Sequence, residues 1–181
     1  MCAPTGFSVG GVPAPVTDLR THPVPDAVDA EAWALRVTGA VDRSLRLSAA
    51  ALESFPLETV TDDFACAEGW VADGLAWRGI RVGDILERAG PSAEAEYALV
   101  RAMDGDYACS FPLEALSDAI LAVELDGEPL PVDHGGPARL VPTGPDRDCW
   151  TSVKWVSEIR IGETPFSDAD TAKETALSRL E

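Results

Sequence analysis

Apolar and polar residues alternate along this chain in short bursts, most of them closed by glycine or proline. Trp33 to Thr38 alternates and stops at Gly39, which predicts a strand, and Leu45 to Leu47 predicts a second. Ser48 is a good N-cap for a helix through Ala49 to Phe55, ended by Pro56. Val60 to Ala65 alternates again and runs into Cys66 and a glycine-containing turn. Trp77-Arg78-Gly79-Ile80 reads as a turn, and Val82 to Gly90 as a one-sided helix with a glycine stop. Tyr97 to Met103 and Tyr107 to Phe111 predict two strands around the turn Asp104-Gly105-Asp106. Pro112 then opens a short helix, Leu113 to Ser117. Ile120 to Leu125 and Glu128 to Pro131 predict a hairpin around Asp126-Gly127, its second arm marked as an edge by proline. Val153 to Ile161 predicts a further strand.

Many short strands with a few short helices indicate a strand-dominated α+β fold. At 181 residues the chain has room for one sizeable domain. We place a proline- and glycine-rich extended arm at residues 1–18, the domain at 19–162 and a polar tail at 163–181, with a weak helix expected from Asp170 to Leu180.

Charge narrows the function classes. Acidic residues outnumber basic ones 31 to 14, a net −17. Such a surface repels phosphate backbones and anionic lipid, which disfavours nucleic-acid and membrane binding. Only Lys154 and Lys173 are lysines, a balance that suits either a high-salt (halophilic) environment or an ordinary acidic cytosolic protein. With no signal-type leader and no apolar run of membrane-spanning length, a soluble cytoplasmic protein is expected. Cys2, Cys66, Cys109 and Cys149 form no C-x-x-C pair, against a structural zinc site or a redox dithiol.

The most informative stretch is Asp63-Phe64-Ala65-Cys66-Ala67-Glu68-Gly69-Trp70. A strand end can hold a side chain rigidly and still face a cleft, and a soft sulfur there suits a thiophilic metal. On this stretch alone a buried, inert cysteine is the favoured reading. Arg20 and His22 lie two apart on a proline-extended segment and so face the same way. Between His134 and Arg139 two glycines allow close backbone approach to a ligand.

Taken in order, these pieces resemble the sulfite oxidase family of molybdenum-pterin oxidoreductases, from about Leu19 to Gly162. The resemblance rests on Arg20 to Pro25, Phe64 to Trp70 with Trp77-Arg78-Gly79, Asp126 to Pro131, His134 to Pro142, and Val153-Lys154-Trp155. It implies a sulfite oxidase-type molybdopterin-binding fold and a molybdenum-molybdopterin cofactor with Cys66 as the protein's metal ligand. It also implies that His22, His134 and Arg139 line the pterin, and that Thr151, Ser152 and Lys154 hold its phosphate end. Asp104 matches a carboxylate position near the cofactor, Ser110 lies on the strand beyond it, and Arg20 matches a residue that helps bind an oxyanion substrate. Ala67-Glu68-Gly69-Trp70 looks more like the sulfoxide reductase branch, which gives Glu68 a catalytic part as proton donor or as a block on an open metal position. The active-site tyrosine of sulfite oxidases has no counterpart, because Tyr97 and Tyr107 come too early in the chain. The implied activity is oxygen-atom transfer on a small oxyanion or sulfoxide, with electrons exchanged with a separate protein. A non-catalytic molybdopterin-binding or carrier module is the alternative.

Overall fold

The computed structural model describes residues 19–144 and 147–180. The arm expected at residues 1–18, with Cys2, lies outside them. Two five-stranded sheets form the framework. In the first, β1 (Ala34–Gly39), β2 (Leu45–Ser48), β5 (Tyr97–Ala102), β6 (Ala108–Pro112) and β10 (Val156–Gly162) run in the order β2-β1-β10-β5-β6. In the second, β3 (Glu58–Ala65), β4 (Val71–Arg81), β7 (Ile120–Leu125) and β8 (Glu128–Pro129) run in that order, and β9 (Arg139–Val141) also pairs with β7. All pairings are antiparallel except β1 with β10.

Four short helices join or flank the strands: α1 (Ala49–Leu52), α2 (Val82–Ala89), α3 (Leu113–Ser117) and α4 (Ala172–Ser178). Ser48 caps α1 as expected, its side chain accepting from the Ala51 N–H at 3.2 Å, although the helix is shorter than the sequence suggests. Gly90 stops α2 in the left-handed region at φ 67°, and Val82, Ile85, Leu86 and Ala89 bury the helix's apolar face. The larger core joins these residues to Leu35, Val37, Val100, Ile159 and Ile161 of the first sheet. A smaller cluster gathers Leu19, Trp70, Leu75, Trp77, Ile120 and Leu130 beneath the β3–β4 hairpin. The long strand β4 ties the two together, since Ile80 belongs to the first and Trp77 to the second. No helix among the described residues is long and apolar enough to cross a membrane.

Three local expectations are corrected. Trp77 to Ile80 is not a turn but the interior of β4, paired with β3 on one side and β7 on the other. Gly79 is there for space: a Cβ on it would lie 2.0 Å from the Leu121 carbonyl oxygen, beside a register shift in the β4–β7 ladder. Strand β10 begins at Val156, not Val153, because Trp155 has φ 51° and redirects the chain. Pro112 is the last residue of β6 and sits just before α3 rather than inside its first turn.

The segment read as a polar tail is docked on the domain. Thr171 Oγ1 accepts from the Ala108 N–H at 3.0 Å, Asp170 Oδ2 accepts from the Ser110 N–H at 3.0 Å, and Ala172 is fully buried.

Replacing Gly79 with alanine should overpack the β4–β7 contact and cost about 1–3 kcal/mol. The expected outcome is a lower urea midpoint at unchanged slope. An unaltered midpoint would refute the close-approach explanation.

Candidate cofactor site

The β3–β4 hairpin presents the thiol. Cys66 follows the last residue of β3; its N–H donates to the Trp70 carbonyl at 2.9 Å, and its own carbonyl accepts from the Gly69 N–H at 2.9 Å. Gly69, at φ 88°, closes that turn at an angle that side-chain-bearing residues rarely adopt. Period-two alternation along β3 leaves Phe64 and Cys66 half-buried on one face, while Ala65 between them is exposed. Both line an open cavity of about 860 Å³, a volume that includes its mouth.

Arg20, His22, Cys66, Glu68, Asp104, Arg139, Ser152 and Lys154 all border this cavity. Arg139 is the most deeply held, only 2% exposed. Its Nε donates to Ser152 Oγ at 3.0 Å and its Nη1 to the His134 carbonyl at 3.0 Å. The Phe64 and Trp77 ring centroids stand 5.0 and 5.1 Å from its guanidinium carbon. Burial draws its pKa down to about 10, which still leaves it charged near neutrality. Lys154 donates from Nζ to the Asp133 carbonyl at 3.2 Å, and burial, followed by Arg139 and Arg179, lowers its pKa to about 7. Gly135 makes room for both cations, because a Cβ there would lie 2.9 Å from Lys154 Cγ and 3.2 Å from Arg139 Cδ. Neither cation has an ion-pair partner among the described residues.

Around the thiol, Glu68 Oε1 stands 3.4 Å from His22 Nε2, and its Oε2 accepts from Trp70 Nε1 at 3.2 Å. Burial, with Arg179 second, pushes the His22 pKa below its ordinary value. Arg20 holds its guanidinium carbon 5.9 Å from the Trp70 ring centroid. Burial raises the Cys66 pKa, which favours the thiol over the thiolate. A bound metal cation reverses that preference, since a coordinating thiol loses its proton.

The other sequence candidates stand differently. Asp104 borders the cavity, but its Oδ1 accepts from the Asp106 and Tyr107 N–H groups, each at 3.0 Å, and so shapes the β5–β6 turn. Ser110 and Thr151 do not reach this cavity and border a separate shallow groove with Asp170 and Lys173. His134 adjoins the site through its backbone carbonyl.

Several lining residues were given no site role by the sequence, among them Phe64, Tyr107, Cys149 and Arg179. Cys149 brings a second sulfur beside the hairpin, its Sγ accepting from the Ala67 N–H at 3.2 Å. Tyr107 donates its hydroxyl to the Trp150 carbonyl at 2.7 Å, and burial pushes its pKa well above the ordinary value. Arg179 reaches the cavity from the end of α4. Only Phe64 carried a signal, its same-face spacing from Cys66.

A large organic anion with a thiophilic metal fits what these residues present: soft sulfur at Cys66 and Cys149, a buried Arg139 and a half-buried Lys154 in want of negative charge, and aromatic walls. Among the described residues no three His, Cys, Asp or Glu side chains cluster as a metal site, so a metal beside Cys66 must take most of its donors from elsewhere.

Residues 21–169 match the family described as the oxidoreductase molybdopterin-binding domain. The uncharacterized oxidoreductase YuiH of Bacillus subtilis is 35% identical over 79% of this chain and 72% of its own length. Mitochondrial sulfite oxidase of Rattus norvegicus is 33% identical over 82% of this chain but only 32% of its own, so this chain spans about a third of that relative. The crystal structure of the sulfane dehydrogenase SoxCD from Paracoccus pantotrophus superposes with a TM-score of 0.70 at 25% identity, covering 77% of this chain and 40% of that one. The match takes in the hairpin sulfur, Arg139 and Lys154, and with it the chain belongs to the sulfite oxidase family of molybdopterin-binding oxidoreductases, whose cofactor is molybdenum-molybdopterin.

Proposed function

We propose that this chain catalyses oxygen-atom transfer on a small oxyanion or sulfoxide and exchanges the electrons with a separate protein. The observation that carries this reading is the gathering of Arg20, Arg139, Lys154 and Arg179 around one cavity, with no ion pair to any of them among the described residues, in a chain of net charge −17. In such an acidic protein, cations left unpaired in a cleft favour an anionic ligand.

The bound cofactor would supply a metal able to accept and release two electrons and an oxygen atom. Cys66 would anchor it through the thiolate sulfur, losing its proton on binding. Arg139 and Lys154 would hold the phosphate end, the first through the planar N–H groups its two hydrogen bonds leave over, the second as a point charge. Ser152 keeps Arg139 oriented by accepting from its Nε while donating to the Leu140 carbonyl at 2.9 Å. His22 would face the pterin. Glu68, two residues beyond the anchor and in contact with His22, would hold the proton that a departing oxygen requires or take the one that an arriving water sheds. Arg20, exposed beside Trp70, would draw the oxyanion to the entrance. Free thiols at Cys66, Cys109 and Cys149 suit a reducing compartment, which supports a cytoplasmic location.

Protein isolated from cells that make molybdopterin should carry close to one molybdenum per chain and turn over at least one of sulfite, methionine sulfoxide and nitrate with an artificial electron carrier. Molybdenum without turnover would mark a carrier module instead, and neither metal nor pterin would refute the reading. Cys66→Ser should keep the fold and cut turnover to below about one hundredth, since loss of even an outer-shell partner costs 10–100-fold at metal sites. Full turnover in that variant would remove Cys66 from the metal.

Lys154 gives a pH prediction. Its pKa in the empty cavity is about 7 against an ordinary 10.5, so between those values the unfolded chain binds the extra proton and the folded one does not. Stability of the cofactor-free protein therefore gains from this group as pH rises from 7 toward 10.5. Anion binding prefers the protonated amine and runs the other way. Sulfate, which does not titrate in this range, should bind the cofactor-free chain roughly tenfold more weakly at pH 8.5 than at pH 6.5 by calorimetry. Lys154→Met should bind weakly at both, and an equal pH dependence in that variant would contradict the assignment.

A further inference from the structure

Arg179 stands apart from the residues already given a part, because it comes from outside the segment that matches the family. That match ends at residue 169, and α4 begins at Ala172. The helix is nevertheless fixed to the domain beside the cavity. Thr171 donates its N–H to the Ala108 carbonyl at 2.9 Å and its hydroxyl to the Asp106 carbonyl at 2.6 Å. Its hydroxyl oxygen also accepts from the Ala108 N–H at 3.0 Å, while Asp170 Oδ1 caps the Ala172 N–H at 3.3 Å. Lys173 Nζ stands 5.7 Å from the Trp150 ring centroid, and Ala176, a turn before Arg179, borders the cavity too.

So moored, α4 carries Arg179 to the cavity with its guanidinium carbon 6.0 Å from the Tyr107 ring centroid. It forms no ion pair among the described residues. Although exposed, it lines the cavity, and its charge is felt by His22, Lys154 and Tyr107. The four cations fall at two depths. Arg139 is buried and Lys154 half-buried, whereas Arg20 and Arg179 are exposed. Like charges gathered at an entrance repel one another, and an anion between them removes that cost. Guanidinium is the side chain best shaped for a tetrahedral oxyanion, which it meets with parallel N–H donors.

We propose that Arg179, delivered by α4, is an anion-binding residue of this cavity that holds a tetrahedral oxyanion at its entrance. This deepens the reading given above and rests on it for the identity of the anion, which is either the substrate or the phosphate of the cofactor. The exposed position, which Arg20 shares on the same cavity, favours the substrate, with Arg139 and Lys154 serving the phosphate farther in.

The test compares parent, Arg179→Ala and Arg179→Lys, each as the full chain purified with and without cofactor. Sulfate binding to the cofactor-free chain, measured by calorimetry, should weaken about tenfold in the alanine variant and recover in part with lysine, as expected for loss of one charge-assisted contact. If the anion is the substrate, molybdenum and pterin content should equal the parent's, and KM for an anionic substrate should rise about tenfold with little change in kcat. If the anion is the cofactor's phosphate, pterin content should fall instead. Either pattern supports the proposal and names the source. Parent-like sulfate affinity, cofactor content and KM in Arg179→Ala would overturn it. Because sulfate binding needs neither molybdenum nor turnover, it decides on Arg179 even if the chain proves not to be an enzyme.

Discussion

A guanidinium shut away from water with no carboxylate beside it is the constraint on which the site depends. Arg139 is 2% exposed and meets only neutral acceptors, Ser152 Oγ and the His134 carbonyl, with ring faces of Phe64 and Trp77 nearby. Burying a charge is costly unless something of opposite sign joins it. In a chain with 31 acidic residues a carboxylate partner was easily available, yet none stands within ion-pair distance among the described residues. The charge is thus kept for a ligand, and Lys154 beside it strengthens the demand.

The rest of the fold holds that charge in place across from a sulfur. Strand β9 begins at Arg139 and is bonded to β7, β7 to β4, and β4 to β3, which ends at Ala65 just before Cys66, so one continuous sheet carries the cation and leads into the thiol. Rigid placement on strands keeps the distance between the proposed metal anchor and the proposed phosphate anchor from drifting, and glycines at positions 79 and 135 allow close approaches of neighbouring chain. Loops add the remaining parts, with Cys149 and Ser152 from one turn and Arg20 and His22 from the extended segment that leads into the domain.

Much of this was legible in the sequence. Period-two alternation found β1, β3 and most of β10, an apolar run found β5, hairpin turns found β6 and β7, and the glycine after Ala89 marked the end of α2. Gly79 misled because a glycine inside a strand pattern looks like a turn until the partner strand is known, and the partner β7 lies some forty residues on. Trp155 misled because a left-handed backbone angle at a tryptophan has no local signature. Of the residues that line the cavity, Cys66, Glu68, Arg139 and Lys154 were singled out through ordered motifs. Cys149, Tyr107 and Arg179 were not, because each is brought in by packing between segments far apart in the chain, and Arg179 sits in a polar stretch that reads as solvated. Ser110 and Thr151 had motif neighbours in the cavity but face another groove. Adjacency in sequence does not ensure a shared side.

The central claim is that one sulfur and the buried cations are two ends of a single ligand site. Crystals of the cofactor-loaded chain, with anomalous diffraction recorded at the molybdenum edge, address it directly. The account predicts one anomalous peak within bonding distance of Cys66 Sγ, and phosphate density against Arg139 and Lys154 in the same cavity. A metal bonded to other residues, or a loaded chain whose phosphate lies away from both cations, would contradict it.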